Sequence, residues 1–246
     1  MRGLRAAVTG GGSGIGAAVA EALAREGVSV VLMGRNAARL REQAVRIGGE
    51  VQRLDVSDEA SVQAAFEAIG PLDILVNNAG QVETAPLKNT TLDAWNRMLQ
   101  VNLTGTFLCT RAVMGGMSER GFGRIINVAS TAGLKGYAYV AAYCAAKHGV
   151  LGLTRALALE LANKGVTVNA VCPGYTETDI VEQAVANIVA KTGRTPDEAR
   201  ALLAASNPQR RLIQPKEIAT TVMWLARRES NSITGQSISI SGGEVM

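Results

Sequence analysis

The chain has 246 residues, of which 47% are hydrophobic and 19% charged, with 27 glycines and a formal net charge of +4. That length suits one α/β domain with a large core, and its lysines and arginines are interleaved with acids, without the basic runs of a nucleic-acid-binding tail. Cys109, Cys144 and Cys172 are scattered and His148 is the only histidine, so the sequence predicts buried reduced thiols, no disulfide framework and no metal site.

Met1 and Arg2 lead straight into an apolar strand, with no leader pattern and no stretch near the roughly 20 apolar residues of a membrane span, which predicts a cytoplasmic protein outside the membrane. Short apolar runs then alternate with amphipathic segments, the pattern of a doubly wound parallel sheet with helices on both faces. Leu4 to Thr9 reads as the first strand, Gly10 to Gly16 as a glycine loop and Ile15 to Glu26 as a helix. A strand over Val28 to Met33, a helix over Ala37 to Ile47 and a strand over Val51 to Leu54 follow, and Ser57-Asp58-Glu59 has the residues of a capped helix start. Leu72 to Val76 is the fourth strand, Leu92 to Arg120 one long helix, Arg124 to Ala129 the fifth strand and Tyr143 to Asn163 the next helix. Val166 to Val171 forms a sixth strand stopped by Pro173-Gly174, and Ile238 and Ile240 mark a short last one. Residues 175–212 break the rhythm with two weak helical patches joined through Thr192 to Pro196, an insertion expected above the carboxyl ends of the strands as a substrate lid.

The run Thr9-Gly10-Gly11-Gly12-Ser13-Gly14-Ile15-Gly16 falls between a strand and a helix. Glycines there let the backbone approach a pyrophosphate, and the helix N-terminus offers it unpaired N–H groups, as in a Rossmann-like nucleotide fold. Such folds usually place an acid at the end of the second strand to bind the adenosine ribose diol. Here that place holds Gly34 and then Arg35. With no carboxylate to repel a 2′-phosphate and a guanidinium able to grip it, NADP(H) is preferred over NAD(H).

Tyr143 and Lys147 lie one helical turn apart on one face. Singly they, like Ser130 and Asn102, read as a core tyrosine, a solvated lysine, and caps or turns. Their order changes that reading: glycine loop, Asn77-Asn78-Ala79-Gly80 after the fourth strand, Asn102-Leu103 in a helix, Ser130 ending the fifth strand, then Tyr143 and Lys147. In this combination the chain resembles the short-chain dehydrogenase/reductase family from Leu4 to Gly243. The resemblance implies one catalytic domain over residues 1–246 and a catalytic tetrad of Asn102, Ser130, Tyr143 and Lys147. It implies cofactor contacts from Gly10, Ser13, Gly14, Ile15 and Gly16, from Asp55 and Val56 at the adenine, and from Asn78, Ala79 and Gly80. Pro173, Gly174, Thr176 and Thr178 fall where the family holds the nicotinamide carboxamide, and Tyr143 and Lys147 also reach the cofactor. Ser13 departs from the arginine of many NADP-dependent members, leaving Arg35 as the main phosphate ligand.

The residue types suit the roles the resemblance gives them. Reducing a ketone needs a proton donor at the developing alkoxide, and Tyr143 supplies it. The Lys147 ammonium favours the phenolate and binds the nicotinamide ribose, Ser130 holds the substrate oxygen, and Asn102 links Lys147 to solvent through a water. The stretches Asn102 to Phe107 and Tyr143 to Gly174 look most like 3-oxoacyl thioester reductases and aromatic polyketide ketoreductases. A pocket of Gln81, Val82, Ala132, Leu134, Tyr137, Tyr139, Tyr175 and the lid is mostly apolar, which suits an acyl or ring substrate. Arg194, Arg200, Arg210 and Arg211 are placed to meet a coenzyme A phosphate or an acyl carrier protein, or form a solvated basic face. The alternatives are an NAD-dependent hydroxyacyl-type alcohol dehydrogenase working oxidatively and a non-catalytic nucleotide-binding scaffold. Family members are commonly homotetramers, which here would pack the helices at Leu92 to Arg120 and Tyr143 to Asn163 against their mates.

Overall fold

Strands built from consecutive apolar residues can be buried on both faces, and β1 (Arg5–Thr9), β2 (Ser29–Gly34), β4 (Ile74–Asn77), β5 (Gly123–Val128) and β6 (Val166–Pro173) are almost wholly so. In the computed structural model, which describes residues 1–246, these join β3 (Glu50–Arg53) and β7 (Ser237–Ile240) in one parallel sheet of order β3-β2-β1-β4-β5-β6-β7. β1 lies between β2 and β4, with Ala6 opposite Val30 on one side and Ile74 on the other. The winding reverses between β1 and β4, which opens a crevice at the carboxyl ends of these strands.

Alternate strand residues feed two cores. Val8, Leu32, Val76 and Ile126 pack under α1 (Gly14–Arg25), α2 (Ala37–Ile47) and α9 (Pro215–Ala226) through Val19, Leu40 and Val222. Ala7, Val31, Leu75 and Ile125 pack under α3 (Glu59–Ile69), α5 (Gly105–Glu119) and α6 (Ala141–Glu160) through Phe66, Leu108 and Leu157. Local signals set the helix ends: Asn36 accepts from the Arg39 amide at 3.2 Å to start α2, and Gly48 stops it with φ of 65°.

Three features differ from the sequence expectation. The long helix from Leu92 is α4 (Leu92–Leu99), a π turn (Gln100–Thr104) and then α5, because the Asn102 side chain inserts among backbone groups at that point. The helix carrying Tyr143 begins two residues earlier, at Ala141. Helix α9 stands in a stretch to which the sequence reading gave no element. Its signals are Pro215 at the first helical position and Glu217, whose carboxylate accepts from the Gln214 amide at 2.7 Å. Within residues 175–212 the two expected patches are α7 (Asp179–Thr192) and α8 (Pro196–Ala204), joined through Gly193 and closed on their own small core of Val181, Val185, Ala199 and Leu212. No helix is long and apolar enough to cross a membrane.

Candidate active site

The glycine loop is bolted to the end of β4 by hydrogen bonds. Thr9 Oγ1 accepts from the Asn78 and Ala79 amides at 2.9 and 3.0 Å, while Asn78 Nδ2 donates to the Thr9 and Gly10 carbonyls at 3.0 and 3.2 Å. Beneath it a buried polar relay crosses the sheet: Asn77 Nδ2 donates to Thr110 Oγ1 and to Asn127 Oδ1, and Asn127 Nδ2 donates to Thr154 Oγ1. Gly10 and Gly14 have φ of 65° and 53°, and a Cβ on Gly16 would lie 2.3 Å from the Gly10 carbonyl oxygen. The loop therefore folds only with glycine at these positions. The Ser13 side chain does not cap α1 and its first turn holds no acid, so the helix N-terminus is open toward the crevice. These residues fit a dinucleotide pyrophosphate.

At the far edge, Arg35 follows β2, exposed and without an ion pair. The Asp55 carboxylate accepts from the Ser57 hydroxyl at 2.6 Å and the Ser57 amide at 3.0 Å. The Ser57 hydroxyl, helped by the nearby Arg35 charge, holds that carboxyl below the usual carboxylate range. Val56 is buried against the spot where Gly105 lacks a side chain.

A cavity of about 830 Å³ runs from the glycine loop to α7. Gly10, Ser13, Gly14, Ile15, Asn78, Ala79, Gly80, Asn102, Ser130, Tyr143, Lys147, Pro173, Gly174, Thr176 and Thr178 all line it. Gly16 lies behind the loop against Gly10, and Arg35, Asp55 and Val56 stand outside the cavity.

Ser130 follows β5 in extended backbone, its hydroxyl accepting from the Ala132 amide at 3.1 Å. Gly133 lets this turn touch α6, since a Cβ there would be 2.8 Å from the Lys147 carbonyl oxygen. Across the contact, Lys147 Nζ donates to the Val128 carbonyl at 2.9 Å and sits 5.6 Å from the centre of the Tyr143 ring. The Asn102 side chain donates to the carbonyls of Gln81 and Met98 at 2.9 and 3.0 Å and accepts from the Gln81 amide at 3.3 Å. Gly80 separates the two groups: a Cβ there would stand 2.8 Å from Asn102 Oδ1 and 3.8 Å from Lys147 Nζ. Burial pushes the Tyr143 phenol up to about 12, opposed by the Ser130 hydroxyl, and pushes the Lys147 ammonium down to about 8. The phenol is thus protonated at neutral pH and faces the cavity as a donor.

Gln81, Val82, Ala132, Tyr137 and Tyr175 form the expected wall. Leu134 and Tyr139 do not belong to it. Leu134 packs with Val150 and Leu151, and Tyr139, at φ of 69°, is turned out and exposed. Val140, Ile180, Ala184 and Ile188 take their place. Of the four arginines between 194 and 211, Arg200 pairs with Glu182 and Arg211 with Glu217, at 2.6 and 2.7 Å, so two of the four expected cations already have carboxylate partners.

A glycine loop on the switch point of a parallel sheet, facing a phenol, an ammonium and a hydroxyl, defines the class of nucleotide-dependent oxidoreductases that move hydride to or from a carbon bearing oxygen. Comparison with known proteins makes this specific. Residues 5–188 match the family model described as short chain dehydrogenase. An acetoacetyl-CoA reductase of Shinella zoogloeoides is 43% identical, covering 97% of both chains. A 3-oxoacyl-(acyl-carrier-protein) reductase of Vibrio cholerae is 38% identical over 100% of this chain and 99% of its own. Among solved structures, a single-residue variant of actinorhodin polyketide ketoreductase with NADPH is 38% identical, with a TM-score of 0.92 and coverage of 98% and 97%. The chain belongs to the short-chain dehydrogenase/reductase family and is an NAD(P)-dependent oxidoreductase.

Proposed function

We propose that the protein is an NADP(H)-dependent reductase of 3-oxoacyl thioesters or similar acyl or ring ketones. The observation that carries this reading is the convergence of Ser130, Tyr143 and Lys147 at an apolar-walled cavity that also reaches the glycine loop. The bound nicotinamide supplies the hydride. Tyr143 gives its phenolic proton to the carbonyl oxygen, and Ser130 orients that oxygen through its hydroxyl. Lys147 stabilises the phenolate left behind and holds the nicotinamide ribose. Asn102, fixed at the π turn beside Gly80, positions a water through which Lys147 recovers a proton. Asn78 to Gly80, Pro173, Gly174, Thr176 and Thr178 line the length of the dinucleotide, and Asp55 and Val56 flank the adenine. Arg35, exposed and without an ion pair, takes the 2′-phosphate.

The substrate class rests on the wall of Val82, Ala132, Val140 and Tyr175 and on the reductases named above. The thioester would arrive on coenzyme A or an acyl carrier. Exposed Phe107 on α5 and Leu159 on α6 suit a homotetramer joined through those helices, which sedimentation checks. The functional test follows reduced-cofactor absorbance with acetoacetyl-CoA and a panel of ketones and alcohols, using both cofactors. Preferred use of NADPH, reversed toward NADH in Arg35→Asp, is expected. Equal or better use of NADH by the native enzyme contradicts the cofactor assignment, and silence across the panel contradicts the reductase assignment.

A further inference from the structure

The last residues of the chain fold back toward the cavity. After β7, Gly242 and Gly243 take φ of 62° and 93°, and the turn is tied by the Ser241 hydroxyl, which accepts from the Val245 amide at 3.2 Å. This return buries the Glu244 side chain, 2% exposed, between two cavity walls. Its Oε1 accepts from the Tyr137 hydroxyl at 2.7 Å and pairs with Lys135 Nζ at 3.1 Å. Its Oε2 packs against Gly174, just after β6, 3.2 Å from the point where a Cβ on that glycine would stand. The Tyr137 hydroxyl is thereby engaged both as donor and as acceptor: its one proton goes to the carboxylate, leaving the Thr131 hydroxyl, 2.7 Å away, to donate to it. The ring is further fixed by Lys135 Nζ at 4.9 Å over its face and by Tyr175, edge to face at 6.4 Å.

We propose that Glu244 is a positioning residue for the substrate half of the cavity. It locks Tyr137 with the hydroxyl turned into the protein, so that the substrate meets an apolar ring held at a fixed place. A buried carboxylate with one ammonium and one phenol as partners is costly as a purely structural device. Glu244, which follows β7, takes its partners from the Ser130 turn and from the segment after β6, and of these elements Tyr137, Gly174 and Tyr175 line the cavity. Losing Glu244 frees one wall of the substrate site without touching the glycine loop or the tetrad. The role in ketone binding rests on the function proposed above; the ordering of the wall does not.

The test compares Glu244→Leu, Glu244→Gln and Tyr137→Phe with the native enzyme. Hydrogen–deuterium exchange of segments 131–140 and 174–178 is expected to rise in Glu244→Leu, with exchange in β1, β2 and α1 unchanged. On the best ketone of the panel, KM is expected to rise at least fivefold in Glu244→Leu, with kcat within threefold and the NADPH Kd within twofold. Glu244→Gln keeps an acceptor for Tyr137 and is expected to restore most of the loss. In the double variant Glu244→Leu with Tyr137→Phe, the KM is expected to match Glu244→Leu alone, because both changes break one contact. Unchanged exchange in Glu244→Leu, or in Tyr137→Phe should Glu244→Leu not fold, overturns the ordering role. Raised exchange with an unchanged KM overturns the substrate role and leaves the reductase assignment standing. If the native enzyme reduces no ketone, the reductase assignment fails and exchange alone decides the ordering.

Discussion

Lys147 should make the cofactor-free protein less stable than it need be. Its side chain is buried, its ammonium has one acceptor, Val128 O at 2.9 Å, and no carboxylate lies within ion-pair distance. Burial lowers its pKa from the ordinary 10.5 to about 8. At 1.36 kcal/mol per pKa unit, that fall corresponds to roughly 3 kcal/mol of lost stability wherever the group is charged in both states. Lys147→Met removes the charge and keeps the bulk, at the expense of an unpaired Val128 carbonyl worth about 1 kcal/mol. The net gain of about 2 kcal/mol should raise Tm by roughly 4–8 °C at pH 7 for a chain this long. The sign with pH follows from the unfolded chain holding the extra proton between pH 8 and 10.5. Native stability therefore climbs through that window, and the advantage of Lys147→Met should fade as pH approaches 10.5. Thermal and urea unfolding at pH 7 and pH 10.5, without cofactor, measure this alongside the expected loss of turnover. A Met variant no more stable than native at pH 7, or a difference that does not change with pH, refutes the reasoning.

Gly16→Ala should weaken NADPH binding at least tenfold and lower stability by about 1–3 kcal/mol, because its methyl would overlap the Gly10 carbonyl and Asn78 Nδ2, at 2.3 and 2.5 Å. Fluorescence titration and unfolding check it, with Gly115→Ala, which meets nothing within 4 Å, as a control of undiminished stability. Arg124→Met should cost at least about 3 kcal/mol, since the fully buried guanidinium donates to carbonyls of Gly123, Gly165, Arg227 and Arg228 and to Asn231, and of these Gly165 and Arg227 alone keep a donor from a loop amide, that of Gly123 and of Ser230. Arg124 lies at the start of β5, away from the crevice, so urea unfolding should shift while the NADPH Kd stays within twofold.

The sheet was legible because each strand is a run of apolar residues bounded by glycine, proline or a capping group, and the alternation with helices leaves few other topologies. The site was legible for a related reason: Gly10, Gly16, Ser130, Tyr143 and Lys147 stand at element ends or one turn apart, so order along the chain fixes their meeting in space. What was missed depends on contacts distant in sequence. The π turn at Asn102 exists because that side chain satisfies the backbone of Gln81, 21 residues away. Tyr139 leaves the pocket because its carbonyl is claimed by the Ala85 amide at 2.8 Å, with its backbone at positive φ. Glu244 reaches Tyr137, 107 residues away, only because two glycines reverse the chain after β7. Helix α9 had usable signals in Pro215 and Glu217, but its apolar face becomes informative only against α1.

The central claim is that Tyr143 gives the proton to the carbonyl oxygen, and Tyr143→Phe tests it most directly. With the best-reduced ketone and saturating NADPH, kcat should fall by roughly 100- to 10,000-fold while the NADPH Kd stays within about threefold. Turnover within a few-fold of native would contradict the assignment.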